Sequence, residues 1–444
     1  MVITMKNIGF VSLGCAKNLT DTETMLGVLT DNGFAITADP SEAQVLVVNT
    51  CAFIDSAKEE SINAILEMAQ YKQDKCELLI VTGCLAQRYR NEIEQELTEV
   101  DIILGTSDYD KIAQVITEFY NSGSKNSYVG SADRDVPENL TRVRSTPDYT
   151  AYLKIADGCD NHCTYCIIPK LRGKFRSRSE DSIINEAKSL AADGVKELIL
   201  VAQDTAYYGK DTGQYKLPAL LRKLGKIDGI EWIRLQYCYP ENITDDLIDE
   251  IASNPKVVKY VDMPLQHVSD NVLKKMGRKS RKTEIEQLIG KLRSKIEGLV
   301  IRTSLIVGFP GETDEDFEIL LEFTKKYCLD KVGVFAYSRE EGTPAYNYPN
   351  QVDDDIAQAR LDAIMSQQKQ ISAKINEAKI GKTVAVIAEG YDDDEFCYVG
   401  RTSTDTPEVD GIAYIYSDHE LNAGDIVTAT VIGADEYDIT TKVI

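Results

Sequence analysis

Three apolar runs near the N-terminus each end in a cysteine. Amphipathic helical patterns separate them, and the runs are IGFVSLGC (8–15), AQVLVVNTC (43–51) and LLIVTGC (78–84). Continuous apolar runs that alternate with helical patterns are typical of parallel strands joined by helices. The carboxyl ends of parallel strands lie at one edge of a sheet, so we expect Cys15, Cys51 and Cys84 to lie close together. The alternative is three separately buried thiols.

A second group of cysteines lies in the stretch DGCDNHCTYC, where Cys159, Cys163 and Cys166 have the spacing C-x3-C-x2-C. No fourth cysteine follows nearby, and structural zinc requires four ligands. A four-iron, four-sulfur cluster held by three thiolates keeps one iron open for a further ligand. The sequence therefore predicts a reactive [4Fe-4S] cluster here and a second one at the first three cysteines. The alternative for this motif is a structural metal site.

The remaining pattern predicts an α/β fold with three domains. Strand candidates alternate with helical patterns from about 151 to 375, which indicates a barrel or partial barrel of six parallel strands. The polar stretch 121–150 predicts a linker, and a long helix is expected to end at Gly381. Short Val-, Thr- and Tyr-rich runs then predict a small β-barrel of the oligonucleotide-binding type. We place the domains at 1–145, 146–376 and 377–444.

Composition limits the possible partners and the compartment. The chain has 444 residues and a net charge of -23, which argues against general affinity for nucleic acid. It has no run of roughly 18 apolar residues and no signal-peptide pattern, so we expect a cytoplasmic protein without a membrane anchor. Ten cysteines in a reducing compartment favour metal or cluster binding over disulfides.

The C-x3-C-x2-C motif, with the aromatic Tyr165 before its last cysteine, resembles the radical S-adenosylmethionine (SAM) superfamily. Taken with the N-terminal cysteines and the small β-barrel, the whole chain resembles the methylthiotransferases, whose barrel is a TRAM domain. Within them, SLGCAKN (12–18), NTCAFIDSAKEES (49–61) and GRTSTDTPEVDG (400–411) resemble the RimO-type branch. Ala16 departs from that branch, which commonly has proline there.

This resemblance implies the reaction and its cofactors. RimO-type enzymes attach a methylthio group to the β-carbon of an aspartate in small-subunit ribosomal protein twelve. SAM serves as methyl donor and as the source of a 5′-deoxyadenosyl radical, which removes hydrogen from that carbon. The resemblance also implies SAM contacts, for which the candidates on the barrel rim are Tyr165, Gln203, Gln266, Ser304 and Phe335.

The charge of the last segment independently favours a protein substrate. From Gly381 to Ile444 there are 3 Lys and Arg residues and 14 Asp and Glu residues, so 3 minus 14 gives -11. Such a module would repel phosphate and attract a basic ribosomal protein. The alternative is that these carboxylates only keep the module soluble.

Three other functions remain open from the sequence. The nearest is methylthiolation of tRNA adenosine; the others are an iron–sulfur electron carrier without SAM chemistry and an acidic scaffold for ribosome assembly. The leading hypothesis also requires an electron donor such as flavodoxin or ferredoxin, and a sulfur donor. In the segment KLRGKFRSR (170–178), basic residues at every second position predict one face of an extended segment, which would balance the charge of the cluster and of the SAM carboxylate. The alternative for these residues is a solvated face.

Overall fold

The computed structural model describes residues 6–444. Its first unit is a six-stranded parallel sheet with the order β2-β1-β3-β4-β5-β6. The strands β3 and β4 are buried along their whole length, as their continuous apolar runs predict. The elements are β1 (Asn7–Ser12), α1 (Ala16–Asp31), β2 (Ala35–Ile36), β3 (Val45–Thr50), α2 (Asp55–Gln70), β4 (Leu78–Gly83), α3 (Cys84–Arg88), α4 (Arg90–Glu96), β5 (Ile102–Leu104), α5 (Ile112–Ser122) and β6 (Ser127–Tyr128).

The second unit is an open sheet of six parallel strands in the order β14-β13-β12-β11-β10-β7. All six strand candidates of the sequence take part, and the sheet is a partial barrel. Its elements are β7 (Thr150–Lys154), β8 (Ala156–Asp157), α6 (Ile168–Arg172), β9 (Arg176–Ser177), α7 (Glu180–Ala192), β10 (Glu197–Val201), α8 (Leu217–Leu224), β11 (Trp232–Leu235), α9 (Asp245–Ser253), β12 (Val257–Asp262), α10 (Asp270–Lys275), α11 (Lys282–Lys295), β13 (Val300–Val307), α12 (Asp314–Tyr327), β14 (Lys331–Ala336) and α13 (Asp354–Glu377).

The long helix ends earlier than the sequence predicts. Helix α13 stops at Glu377, whereas Gly381 lies beyond it with a φ of +82° and donates its N–H to Val431 of the following unit. A tight turn, in which Ile380 N–H bonds to the Glu377 carbonyl at 3.1 Å, replaces the last expected helical turn. The expected end at Gly381 is therefore wrong by four residues.

The third unit is a closed five-stranded barrel in the order β15-β16-β17-β19-β18, so the small β-barrel is confirmed. Its strands are β15 (Thr383–Asp392), β16 (Cys397–Thr402), β17 (Ala413–Tyr416), β18 (Ile426–Ala434) and β19 (Ile439–Val443). None of the helices within residues 6–444 combines the length and hydrophobicity needed to span a bilayer.

The small barrel is joined to the partial barrel by buried polar contacts. Arg401, 2% exposed, bonds to Glu197 at the start of β10, and Glu197 also pairs with Arg234 at 2.8 Å. The loop between β16 and β17 adds further contacts, such as Lys331 with Asp405 at 2.6 Å. Glu197 and Lys331 are the first residues of β10 and β14, so these two contacts lie at the amino ends of their strands, away from the carboxyl edge where the cysteine loop begins.

Candidate active site

The N-terminal cysteines follow three neighbouring strands. Cys15 comes three residues after β1, Cys51 directly after β3 and Cys84 directly after β4, and these strands are adjacent in the sheet. Gly14 lies against Cys51, because a Cβ atom on Gly14 would stand 3.2 Å from the Cys51 sulfur. The geometry thus brings the three residues to one sheet edge, as their positions after the apolar runs predict.

Local hydrogen bonds fix the backbone around these thiols. The Ser61 hydroxyl of α2 accepts from Cys51 N–H at 3.0 Å and donates to the Cys51 carbonyl at 2.9 Å. Cys15 is the N-cap residue of α1, where the positive end of the helix favours a thiolate. Burial would raise the pKa of Cys15, but the cations Lys17 and Arg172 hold it below its ordinary value.

The other two thiols of this set are not activated in the same way. Burial, together with the neighbouring charges of Cys15 and Cys51, raises the pKa of Cys84 to about 12. Burial also raises the pKa of Cys51, where the Cys15 charge adds to the effect. Because the thiolate forms of Cys51 and Cys84 are disfavoured on their own, all three residues could bind as thiolates only to a cationic group, such as the iron atoms of a cluster.

The second cysteine set lies in the loop between β8 and α6. Gly158 has a φ of +79°, and a Cβ atom there would lie 1.9 Å from the Lys174 carbonyl, so the start of this loop requires glycine. Cys166 N–H then bonds to the Cys163 carbonyl at 3.0 Å, which folds the loop into a turn. Burial raises the pKa of Cys159 to about 12, and the Cys163 charge is a further cause.

The donor sets fit iron–sulfur clusters better than a single ion. Within residues 6–444, no three His, Cys, Asp or Glu side chains are close enough to share one metal ion. A four-iron cluster imposes a wider spacing, because each thiolate binds a different iron. All ten cysteines are free thiols, so neither set is engaged in a disulfide.

Two buried polar atoms near the second set lack protein partners in the described part of the chain. Gln203 Nε2 donates to Asp157 at 3.0 Å, while Gln203 Oε1 has no partner. The Tyr165 hydroxyl is likewise buried without a partner, and its ring packs edge-on against Phe309. Buried polar groups are normally satisfied, so both atoms fit a site that a polar ligand completes.

The remaining SAM-contact candidates lie farther along the carboxyl edge. Gln266 has a φ of +69°, which is rare for a residue with a side chain, and its N–H bonds to the Ser304 carbonyl at 2.8 Å. Ser304 is half-buried on β13, and Phe335 is 53% exposed on the neighbouring strand β14. The structure therefore groups Gln266, Ser304 and Phe335 at one end of the sheet and Gln203 with the cysteine loop at the other.

Arg172, one of the alternating basic residues of the segment KLRGKFRSR, connects the two cysteine-bearing units. Its side chain is 2% exposed and contacts Asn18 Oδ1 at 2.5 Å, Asp21 Oδ2 at 2.9 Å and Asp157 Oδ2 at 3.0 Å. Asn18 Oδ1 in turn accepts from the Cys84 thiol at 3.9 Å. Lys154 also pairs with both carboxylates, so two anions and two cations form one buried network.

The extended segment predicted for 170–178 is wrong. Residues Ile168–Arg172 form helix α6, and only Arg176–Ser177 are extended. Pro169 at the start of this helix and Gly173 at its end, with a φ of +70°, account for the short helix. The alternating basic residues therefore point in different directions, and Arg172 turns inward between the units.

A second contact joins the two units through the loop after β14. Glu340, 2% exposed, accepts from Lys58 of α2 and Arg88 of α3, both at 3.0 Å. Arg88 also donates to the Glu341 carbonyl at 2.6 Å. This contact could not be predicted from the sequence, because its partners are more than 250 positions apart.

Comparisons with known proteins agree with this architecture. Three family profiles match the chain: an uncharacterized protein family, UPF0004, at residues 7–105, the Radical SAM superfamily at 153–324 and the TRAM domain at 380–444. A protein of Acetivibrio thermocellus named ribosomal protein uS12 methylthiotransferase RimO is 52% identical over 99% of this chain and 98% of its own. The chain belongs to the RimO family.

Other relatives in the RimO family are similarly close. A protein of the same name from Geobacter sulfurreducens is 48% identical over 99% of both chains, and one from Thermoanaerobacter is 48% identical over 98% and 99%. The RimO-type resemblance drawn from the cysteine motifs is thereby confirmed. This member of the family is a radical SAM methylthiotransferase.

Solved structures share the fold at low identity. The radical SAM methyltransferase TsrM from Kitasatospora setae, with cobalamin and a [4Fe-4S] cluster bound, has a TM-score of 0.57 at 14% identity and covers 77% of each chain. The cobalamin-dependent SAM radical enzyme OxsB has a TM-score of 0.51 at 12% identity, over 82% of this chain and 56% of that one. At this identity the likeness concerns the fold alone.

Proposed function

We propose that this RimO-family chain attaches a methylthio group to the β-carbon of an aspartate in ribosomal protein uS12. The observation that carries the proposal is the arrangement of six thiols in two sets of three, at the carboxyl edges of two parallel sheets joined by Arg172. Relatives about half identical to this chain carry the name of that activity. Neither an electron carrier nor a scaffold needs two sets of thiols that each lack a fourth ligand.

The proposal assigns each residue set a role. Cys15, Cys51 and Cys84 would hold one [4Fe-4S] cluster, and the C-x3-C-x2-C loop would hold the other. When bound, the clusters and SAM supply the 5′-deoxyadenosyl radical and the methylthio group, chemistry that amino-acid side chains cannot provide. Tyr165, Gln203, Gln266, Ser304 and Phe335 are proposed to bind SAM.

The chain's own residues hold the two proposed cluster sites in position. Arg172 balances the charge of Asp21 and Asp157 and thereby keeps the two thiol sets in a fixed relation. The Gln203 carbonyl oxygen, still without a partner among the described residues, is suited to accept from the SAM amino group. Glu340, which is bonded to Lys58 and Arg88, provides a second buried link between the same two units.

The acidic barrel supports a basic protein as substrate. Arg401, one of its three basic residues, is buried against Glu197, so the exposed cations are Lys382 and Lys442. Carboxylates therefore dominate the outer surface, which favours a Lys- and Arg-rich ribosomal protein over RNA. The proposal further requires the cytoplasm as compartment, an electron donor such as flavodoxin or ferredoxin, and a sulfur donor.

A direct competition tests the proposed substrate. The protein is reconstituted anaerobically with iron and sulfide, then offered uS12 and tRNA together with SAM and dithionite. We expect uS12 to gain one methylthio group on an aspartate, detected by peptide mass spectrometry, and tRNA to remain unmodified. A uS12 variant with that aspartate replaced by asparagine serves as control. Modification of the tRNA alone would refute the proposed substrate.

A further inference from the structure

A short basic segment stands out in this acidic chain. Between positions 274 and 282 the sequence reads KKMGRKSRK, and we call these nine residues the basic ridge. With Asp270 and Glu284 included, the stretch has six cations and two anions, so 6 minus 2 gives +4, in a chain whose net charge is -23. The six cations are Lys274, Lys275, Arg278, Lys279, Arg281 and Lys282.

The cations of the ridge are largely free of carboxylate partners. Arg278 pairs with Glu241 at 3.7 Å, whereas within residues 6–444 the other five form no ion pair. Lys274 and Lys279 are exposed, and Lys275 donates to the Gly311 carbonyl at 2.7 Å. Because the chain has 72 acidic and 49 basic residues, unpaired cations side by side create a local positive field for an anionic partner.

The ridge is held in one conformation by the nearby carboxylates. Glu241 accepts from Ser280 N–H at 3.1 Å, Glu284 from Arg281 N–H at 2.8 Å and Asp270 from Lys282 N–H at 2.8 Å. These anions are therefore engaged with the backbone. The lysines at the end of α10 also interact favourably with the helix dipole, but Lys279 lies beyond that helix.

The ridge packs directly on the loop that carries the second cysteine set. Thr164 N–H bonds to the Met276 carbonyl at 2.9 Å, and the Thr164 hydroxyl bonds to the Lys275 carbonyl at 2.8 Å. Gly277 has a φ of +75°, and a Cβ atom there would stand 2.9 Å from the His162 carbonyl. The ridge thus covers the residues between Cys159 and Cys166.

A short chain of contacts leads from the ridge to a cysteine sulfur. The Arg278 guanidinium lies 4.1 Å from the centre of the Tyr239 ring, and the Tyr239 hydroxyl lies 3.7 Å from the Cys163 sulfur. A partner seated on the ridge would therefore be separated from this cysteine by two side chains.

We propose that the basic ridge docks a small electron-transfer protein whose redox centre is surrounded by carboxylates. This inference rests on the proposed function, in which each SAM cleavage consumes one electron. The docked carrier supplies that electron and is itself oxidised by one electron, while SAM is split into methionine and the 5′-deoxyadenosyl radical. The position of the ridge over the cysteine loop favours an electron carrier as the partner. RNA is disfavoured because the many carboxylates on the rest of the chain repel its phosphates.

A matched pair of variants tests the docking surface. The ridge variant combines Lys274→Glu and Lys279→Glu, and the control combines Lys188→Glu and Lys226→Glu on α7 and after α8. All four lysines are exposed, and none of them forms an ion pair within residues 6–444. In each double variant, one lysine lies in a helix and the other lies beyond a helix end. The probe is flavodoxin, and 5′-deoxyadenosine formation is measured with reduced flavodoxin or with dithionite.

We expect the ridge variant to need about tenfold more flavodoxin for half-maximal rate at low salt, and the control less than about twofold more, because charge complementarity governs such encounters. The difference should shrink at high salt. With dithionite the rates of both variants and the parent should agree. Calorimetric titration with flavodoxin should show the same loss of affinity.

Three results would overturn the proposal. The first is an equal flavodoxin requirement in the ridge and control variants. The second is a ridge variant that loses the dithionite-driven rate as well, which would indicate a structural role of the lysines. The third is a parallel calorimetric titration with tRNA in which the ridge variant loses affinity for tRNA while its affinity for flavodoxin is unchanged. The calorimetric titration decides the docking question even if uS12 is not the substrate, so the two proposals fail independently.

Discussion

Replacement of Arg172 by methionine should destabilise the junction between the two cysteine-bearing units. The substitution keeps an unbranched, flexible stem but removes the guanidinium cation, whose nitrogens lie 2.9 Å from Asp21 and 3.0 Å from Asp157. Only Lys154 then remains to balance two buried carboxylates. One of the charges is left without compensation in a site that excludes water.

The size of the effect follows from these distances. At about 3 Å and an effective dielectric constant of about 20, each contact is worth about 5 kcal/mol before the cost of removing the charges from water. Measured losses for buried pairs that lose one partner are about 3–5 kcal/mol, and we expect a decrease in the free energy of unfolding of that size. The network is neutral with all four groups present, so a second substitution can restore neutrality.

Urea unfolding measures this decrease in the free energy of unfolding. Hydrogen exchange at the amides of α1 and α6 shows whether the loss of stability is located at the junction. The double variant Arg172→Met with Asp21→Asn leaves Lys154 paired with Asp157, and it should recover part of the lost stability. Methylthio transfer should fall further than SAM cleavage in the single variant, because the N-terminal thiols lose their fixed position. A loss below about 1 kcal/mol, or a double variant less stable than the single one, would refute the reasoning.

Four further substitutions have defined outcomes. Cys51→Ala should lower the iron content from about eight to about four per chain, and it should abolish methylthio transfer while SAM cleavage continues. Cys163→Ala should abolish methylthio transfer and SAM cleavage alike. Methylthio transfer by the Cys51→Ala variant would contradict the cluster assignment. Gln203→Ala should weaken SAM binding about two- to tenfold in a calorimetric titration, because one hydrogen bond is lost, and unchanged affinity would exclude this contact. Glu197→Gln should lower the free energy of unfolding by about 3–5 kcal/mol at neutral pH. Burial would raise the pKa of Glu197, but Arg401 and Arg234 hold it below the ordinary value. The stability that the Glu197 carboxylate adds is therefore lost as the pH falls below about 4.3. If the free energy of unfolding of Glu197→Gln, measured in urea, decreased with falling pH as steeply as that of the parent, this assignment would be contradicted.

The sequence allowed the parallel sheets to be predicted because buried strands leave uninterrupted apolar runs. It also allowed Cys15, Cys51 and Cys84 to be placed together, since each follows such a run and the carboxyl ends of parallel strands share an edge. The strand β6 was missed because two residues in a polar stretch carry no periodic pattern. The SAM-contact assignments remain predictions.

The residues that join the units could not be predicted in the same way. The partner of Arg172 in the first sheet unit, Asp21, is about 150 positions away, and Glu197 and Arg401 are 204 positions apart. A charged residue that becomes buried through such a distant partner looks like an ordinary surface residue in the sequence. In the segment KLRGKFRSR, the alternating pattern indicated a strand, but Pro169 and Gly173 favoured a short helix.

The buried pair of Arg401 and Glu197 determines whether the small barrel can be transferred to another protein. Grafted onto another radical SAM core without an acidic residue at the matching site, the barrel would bring an arginine into a dry interface that offers it no anion. The graft would have to expose that surface or lose several kcal/mol, about the cost of one unmatched internal charge. Exchange of this barrel between enzymes would therefore require both halves of the ion pair to be inherited together.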